Sequence, residues 1–167
     1  MAAAANGAAG AKIAKVDHSS LRVNQAVIIL GLLAGFVFDV PWIVAGVAFI
    51  MLLGTAIGRP GFFFIYVWIL RPARIVKPDV LADNPEPHRF AQGFGGVVAG
   101  VSAILLFLGY PLAGCVLTWL VIALAALNLF VGFCVGCAVY YWLAKIQVPG
   151  FAKSPPPGTV PGMRPRT

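Results

Sequence analysis

The sequence predicts an all-α integral membrane protein, a four-helix bundle of two parallel-repeat helical hairpins with both termini on the cytoplasmic side. Three observations predict it. Hydrophobic residues make up 60% of the 167 residues and charged residues only 10%, against about a quarter in a soluble domain. The apolar residues fall into stretches near the roughly 20 that a helix needs to cross hydrocarbon. All twelve Lys and Arg residues fall on one side of the resulting topology.

The elements follow in chain order. Residues 1–15 are Ala/Gly-rich at their start, lack a charged region before an apolar run, and read as a disordered lead rather than a cleavable signal. The first span is expected at 23–38. Asp39-Val40-Pro41 then makes a tight turn, Pro41 being suited to a helix start. The second span is expected at 42–57 and is interrupted at Arg59-Pro60. The apolar stretch 61–70 is too short to cross alone, so it is either a continuation past a kink or an interfacial segment. After the polar stretch 71–89, a third span is expected at 90–108 and a second turn at Gly109-Tyr110-Pro111. The fourth stretch is apolar from 112 to 143, longer than one crossing needs, so its end should project beyond the hydrocarbon. Residues 149–167 are rich in Pro and Gly, with Pro155-Pro156-Pro157, and read as a disordered tail. The transmembrane domain is thus expected at 16–148.

Charge sets the orientation. Lys12, Lys15 and Arg22 precede the first span. Arg59, Arg71, Arg74, Lys77 and Arg89 lie between the second and third, and Lys145, Lys153, Arg164 and Arg166 follow the fourth. The two tight turns carry none, so the basic side is the cytoplasm. The net charge of +7 flanks apolar helices rather than forming a patch on a polar domain, which argues for contact with anionic lipid and against nucleic acid. An internal repeat is also expected. Arg22-Val23-Asn24-Gln25 matches Arg89-Phe90-Ala91-Gln92, Pro41 matches Pro111, and Tyr66-Val67-Trp68-Ile69 matches Tyr140-Tyr141-Trp142-Leu143. Small residues four apart, at Gly31/Gly35, Gly54/Gly58, Gly96/Gly100 and Gly132/Gly136, offer close helix approach.

Chemistry concentrates in few places. Cys134-Val135-Gly136-Cys137 is a CxxC on the cytoplasmic half of the fourth stretch. Residues at i and i+3 share a helix face, so the two sulfurs can form a reversible dithiol/disulfide or hold a thiophilic metal; alternatively they are small packing residues. A reducing cytoplasm favours the dithiol. Cys115, near an outer turn, reads as structural. The stiff loop Asp83-Asn84-Pro85-Glu86-Pro87-His88-Arg89 lies on the same side as the cysteines. His88 is suited to a metal, a proton or a helix start, and Asn84, Glu86 and Arg89 are supporting candidates. Asn128 has the polar group to bond a neighbouring helix or a ligand. Asp39 reads as a turn residue. No nucleotide loop, Ser–His–Asp set or zinc-protease motif is present. His18 and His88 lie outside the spans, which argues against paired haem ligation. No cofactor is expected, and no catalytic motif marks the chain as an enzyme.

The segments Val16-Asp17-His18-Ser19-Ser20-Leu21-Arg22-Val23-Asn24-Gln25, Lys77-Pro78-Asp79, Asn84-Pro85-Glu86-Pro87-His88-Arg89-Phe90-Ala91-Gln92 and Asn128-Leu129-Phe130-Val131-Gly132-Phe133-Cys134-Val135-Gly136-Cys137 resemble a family of bacterial membrane proteins. It is catalogued as domain of unknown function four-three-nine-five. The resemblance implies a multi-pass protein of the bacterial cytoplasmic membrane. It also implies association with thioredoxin-like or rhodanese-like domains, and hence thiol or sulfur handling at Cys134 and Cys137.

Three functions are therefore expected in turn. The first is thiol redox or sulfur-species handling, including transport, with a thioredoxin-like or rhodanese-like partner. The second is a non-catalytic accessory subunit of a larger respiratory or photosynthetic membrane complex. The third is a thiophilic metal carrier that uses the same cysteines.

Overall fold

The fold is seen in a computed structural model that describes residues 14–165. A short strand β1 (Lys15–Asp17) leads into α1 (His18–Val37), which turns into α2 (Pro41–Ile57). A one-turn helix α3 (Phe63–Ile65) and a π-helical turn (Tyr66–Leu70) follow. Strand β2 (Val80–Ala82) precedes α4 (Pro85–Phe107) and α5 (Pro111–Ala126), which runs on through a π-helical turn (Leu127–Val131). The last helix is α6 (Val135–Lys145).

Both hairpin turns are built alike. Asp39 at φ 51° and Gly109 at φ 79° take the left-handed conformation, and Pro41 and Pro111 open the next helices with no N–H to leave unpaired. Helices α1, α2, α4 and α5 pack in a ring, α2 on α4, α4 on α5, α5 on α1 and α1 on α2, with α6 laid along α4. The core holds Ile28, Leu32, Val44, Met51, Ala99 and Val121. The outer faces expose Phe49, Val97, Leu112 and Val116, as expected of a bundle solvated by lipid rather than water. Three helical stretches, His18–Val37, Pro85–Phe107 and Pro111–Val131, are long and apolar enough to cross a membrane. Helix α2 is apolar but has 17 residues, or about 25 Å, near the lower limit for a crossing.

The amide and hydroxyl side chains between the spanning helices are paired, as a low-dielectric interior requires. Asn24 donates to Gln92 Oε1 at 3.1 Å and accepts from Phe62 N–H at 2.9 Å. Gln92 donates to the carbonyls of Met51 and Arg59 at 3.0 and 3.2 Å and accepts from Gly61 N–H. These bonds hold the chain where it leaves α2 at Gly58, whose φ of 80° ends the helix. The 61–70 stretch is therefore a separate short segment after a break, not a kinked continuation. Near the other end of the bundle, Ser102 Oγ lies 2.7 Å from Thr118 Oγ1 and bonds the Gly114 carbonyl at 2.7 Å.

Three sequence expectations are corrected. The fourth stretch is not one overlong helix. Gly132 at φ 74° halts the π-helical turn, and α6 starts afresh, because a left-handed residue cannot continue a right-handed helix. The polar stretch 71–89, for which no strand was expected, contains β2, which pairs antiparallel with β1, Lys15 opposite Ala82. Helix α4 begins at Pro85, ahead of the apolar stretch. Most of the 1–15 lead lies outside the described residues. Among its described residues the Pro-rich tail carries no helix or strand of its own, yet Phe133 and Met163 form a β-bridge and Cys134 N–H donates to the Gly162 carbonyl at 2.8 Å.

Among the expected small-residue pairs, Gly31 and Gly35 face Val47 and Val44 of α2, whereas an added Cβ on Gly100 meets nothing within 4 Å. The tightest contact between spanning and site helices is at Gly136, where a Cβ would come 2.5 Å from Ala91 Cβ of α4. Gly136→Val should therefore cost about 1–3 kcal/mol, read as a lower Tm in detergent, while Gly100→Ala should leave the Tm within about a degree or two.

Candidate functional site

Cys134 sits at the N-cap of α6 with extended backbone (φ −94°, ψ 102°), and its Sγ accepts the Cys137 N–H at 3.1 Å. The two cysteines are joined as a disulfide with Cα atoms 5.2 Å apart, inside the usual range for such a bond. The continuous helix expected at the cysteines is thus replaced by a helix N-terminus. The N-cap geometry explains the meeting of the sulfurs, since Cys134 turns out of the helix toward the exposed N–H groups of its first turn. Those N–H groups and the helix dipole favour negative charge there, and so favour a Cys134 thiolate after reduction.

Beside the disulfide lies a chain of titratable groups. Cys137 Sγ is 3.5 Å from His88 Nδ1, and His88 Nε2 is 2.9 Å from Asp83 Oδ2. His18 Nε2 stands 3.1 Å from the same carboxylate oxygen, and the two imidazoles meet edge to face at 5.6 Å. Burial alone would push the Asp83 carboxyl up. Hydrogen bonds from His18 and His88, the charge of His88 and the Asn84 N–H outweigh it and hold Asp83 well below the usual carboxylate range. An ionised Asp83 accepts the proton on His88 Nε2, which selects the tautomer whose Nδ1 lone pair faces Cys137.

Local sequence explains these placements. Asn84 is the N-cap of α4 and Pro85 its first residue, so Asp83 and His88 occupy the positions before the cap and one turn in, which meet at helix starts. Here a carboxylate and an imidazole take the place of the usual apolar pair. His18 is the first residue of α1, whose cap Asp17 accepts from the N–H groups of Ser19 and Asp79 and from Tyr66 Oη. The β1–β2 register sets Asp83 beside Ala14 and His18 beside Asp79, and the side chains of Asp83 and His18 approach each other diagonally across this short pair, to 3.1 Å.

These groups line a cavity of about 590 Å³ between the starts of α1 and α6, walled also by Gln25, Asn128, Tyr141 and Arg164. The tail forms one wall. Arg164 pairs with Asp79, and its N–H donates to the Gly132 carbonyl at 3.0 Å. Burial pushes the Tyr141 phenol up, against the opposing effect of its Asn84 hydrogen bond, so it stays a neutral donor.

Of the residues singled out from sequence, Cys134, Cys137, His88 and Asn128 meet at this cavity. The other three do not line it. Asn84 braces the wall from behind, bonding Tyr141 Oη at 3.4 Å and the Ser154 carbonyl at 2.9 Å. Glu86 reaches Lys153 at 3.6 Å. Arg89 turns to the end of α2, donating to the carbonyls of Thr55 and Ala56 at 2.6 and 3.3 Å. Cys115 is free and lies in the second turn of α5. Sequence reasoning missed His18 as a partner of Asp83. The spacing of Asp83 and His88 about Asn84-Pro85 was the available signal for half of the cluster; nothing local signalled His18.

The family model for a domain of unknown function (DUF4395) matches residues 16–145. The chain belongs to that family. No curated protein and no solved structure matches it. The DUF4395 match takes in His18, Asp83, His88, Cys134 and Cys137, while the tail that closes the cavity lies outside it.

Asp83→Asn should destabilise the protein by about 2 kcal/mol at neutral pH, through loss of a charged acceptor shared by two imidazoles. Because the folded-state carboxyl is depressed below its ordinary 3.8, its contribution is present above that pH and lost as the pH falls below it. Thermal melts of both proteins in detergent should therefore differ by a constant gap from pH 7 to about 4 and converge only as the pH falls below 4; a gap that widens on acidification contradicts this.

Proposed function

We propose that this chain is a multi-pass membrane protein of thiol–disulfide exchange. The single observation that carries the reading is the Cys134–Cys137 disulfide at the N-terminus of α6 with His88 Nδ1 3.5 Å from Cys137 Sγ. A CxxC at a helix N-terminus stabilises one thiolate, and a neighbouring base deprotonates the other. In the reductive half-reaction, a partner thiolate attacks Cys134 Sγ, the disulfide breaks, and Cys137 leaves as a thiolate that can take a proton from protonated His88. A second partner thiol attacks the mixed disulfide and releases Cys134, its charge held by the α6 N–H groups. The partner loses two electrons, which the CxxC gains; one of the partner's two protons replaces the one His88 gave Cys137, and the other goes to solvent because Cys134 stays a thiolate. In the reverse direction His88 accepts the Cys137 proton.

The partner is expected to be thioredoxin-like, or rhodanese-like if the species passed is sulfane sulfur. The excess of Lys and Arg on the side of the bundle that holds the CxxC supports a cytoplasmic site with both termini inside. The likeness of the two turns, and the burial of Tyr66 and Tyr140 beside exposed Trp68 and Trp142, support an origin of the bundle in two related hairpins.

A second reading has its own observation. His88 Nδ1 and the two cysteine sulfurs lie within 4.8 Å of one another, and His88 Nε2 faces a carboxylate, the usual outer partner of a metal-bound imidazole. Once reduced, this set suits a thiophilic ion. Anaerobic equilibrium dialysis of the reduced protein with Zn(II) decides it; no stoichiometric uptake removes the carrier reading.

Two measurements test the main proposal. Reduction followed by alkylation should add two labels at Cys134 and Cys137 in the native protein, and a water-soluble dithiol should open the disulfide without unfolding. Replacing either cysteine with Ser should abolish exchange with a disulfide probe. His88→Gln should slow alkylation of Cys137 in the Cys134→Ser background about tenfold near pH 7. Exchange that persists in the double Ser variant rules the proposal out.

A further inference from the structure

Cys134 lies on two cavities, not one. It lines the site already described, and it also lines an apolar groove of about 80 Å³ between α1, α4 and α5, walled by Ile28, Phe94, Gly95, Val98, Leu120 and Leu124. A water needs about 10–15 Å³ on this measure, so the groove has room for roughly one six-membered ring. Phe94 is 58% exposed and Leu120 47% exposed. Both stand on outward faces of spanning helices, so the groove opens toward lipid rather than water.

Gln25 and Asn128 line both cavities, as Cys134 does. They form the partition between them. Asn24 and Gln92, also on the groove, are already fully engaged with each other and with backbone. Gln25 and Asn128 bring carboxamide groups to the lining that they share with Cys134. The occupant implied by this lining is flat, apolar and lipid-soluble, bears carbonyl oxygens, and can exchange two electrons with a thiol.

We propose that the groove takes the ring of a membrane quinone, which reoxidises the reduced Cys134/Cys137 pair. This rests on the thiol-exchange reading and supplies its electron acceptor. The Cys134 thiolate adds to the ring and forms an S–C bond, with the ring's electron pair moving to a carbonyl oxygen. Cys137, its proton taken by His88, attacks Cys134 Sγ. The S–S bond forms, the S–C bond breaks, and the pair goes to the ring. The two protons lost by the thiols complete the hydroquinone. One dithiol and one quinone thus give one disulfide and one hydroquinone, with two electrons and two protons accounted for. Cys134 is suited to the ring because it lines the groove; Cys137 is suited to the aqueous side because it faces His88.

The experiment uses the full chain in lipid nanodiscs, reduced and freed of reductant, mixed with a short-chain benzoquinone. Hydroquinone formation and disulfide formation are followed together. One hydroquinone should appear per disulfide. Gly95→Leu fills the groove, and the first atom added there meets only the mobile end of Met51, at 3.1 Å. It should slow quinone reduction about tenfold and leave exchange with a water-soluble dithiol unchanged. Leu124→Trp gives the same occlusion from the opposite wall if Gly95→Leu does not fold. Exchange with the dithiol but no reduction of the quinone overturns this inference alone. Failure to exchange with the dithiol in the unaltered protein overturns the thiol-exchange reading beneath it. Quinone reduction at full rate in both groove variants overturns the assignment of the groove.

Discussion

The site depends on one carboxylate. Asp83 is buried, ionised and shared by two imidazoles from the starts of different helices, α1 and α4. A buried charge of this kind is costly unless its hydrogen bonds are met, and here His88 and the Asn84 N–H bond it while His18 Nε2 stands 3.1 Å away. The same contacts hold the helix starts together on the side where the chain carries its cysteines. Without the negative charge, His88 would lose the constraint that turns Nδ1 to Cys137, and the two imidazoles would meet edge to face with no shared acceptor beside them.

A second layer of polar pairing keeps this end of the bundle rigid. Asn24 and Gln92 bond each other and the backbone where α2 ends, and Arg89 covers the last carbonyls of α2. In a water-filled protein each such bond would be worth about 1 kcal/mol. In a lipid-solvated bundle their larger effect is on specificity, because an alternative packing would leave amide groups unpaired in hydrocarbon. Arg89 illustrates the difference between charge and position. Sequence proximity to His88 suggested a shared site, but one step along a helix turns a side chain by about 100°, and Arg89 faces α2.

The legible parts of the fold were those with a local cause. Hydropathy located the long apolar helices, and Asp39-Val40-Pro41 and Gly109-Tyr110-Pro111 located the turns through their left-handed and proline positions. The division of the last apolar stretch escaped because hydropathy registers composition and not φ; Gly132 sits among Phe130, Val131 and Phe133 and looks like part of a continuous run. The β1–β2 pair escaped because three-residue strands carry no usable alternation. Of the site, the cysteines and His88 were visible as types. Their company was not, since His18 and Asp83 approach only diagonally across the β1–β2 pair, and Arg164 reaches the cavity only through a tail whose composition suggests no structure.

The break at Gly132 also separates two lengths that a continuous helix would lock together. Helix α5 must match the thickness of the hydrocarbon it crosses, while α6 must place two sulfurs against His88. On one rod, each residue added to suit a thicker bilayer would rotate the cysteines by about 100° and advance them by about 1.5 Å. With a left-handed glycine between the helices, α6 takes its orientation from Ala91 of α4 and from the tail, and α5 takes its length from the lipid. The membrane span and the reactive pair are thereby two modules whose dimensions can vary separately.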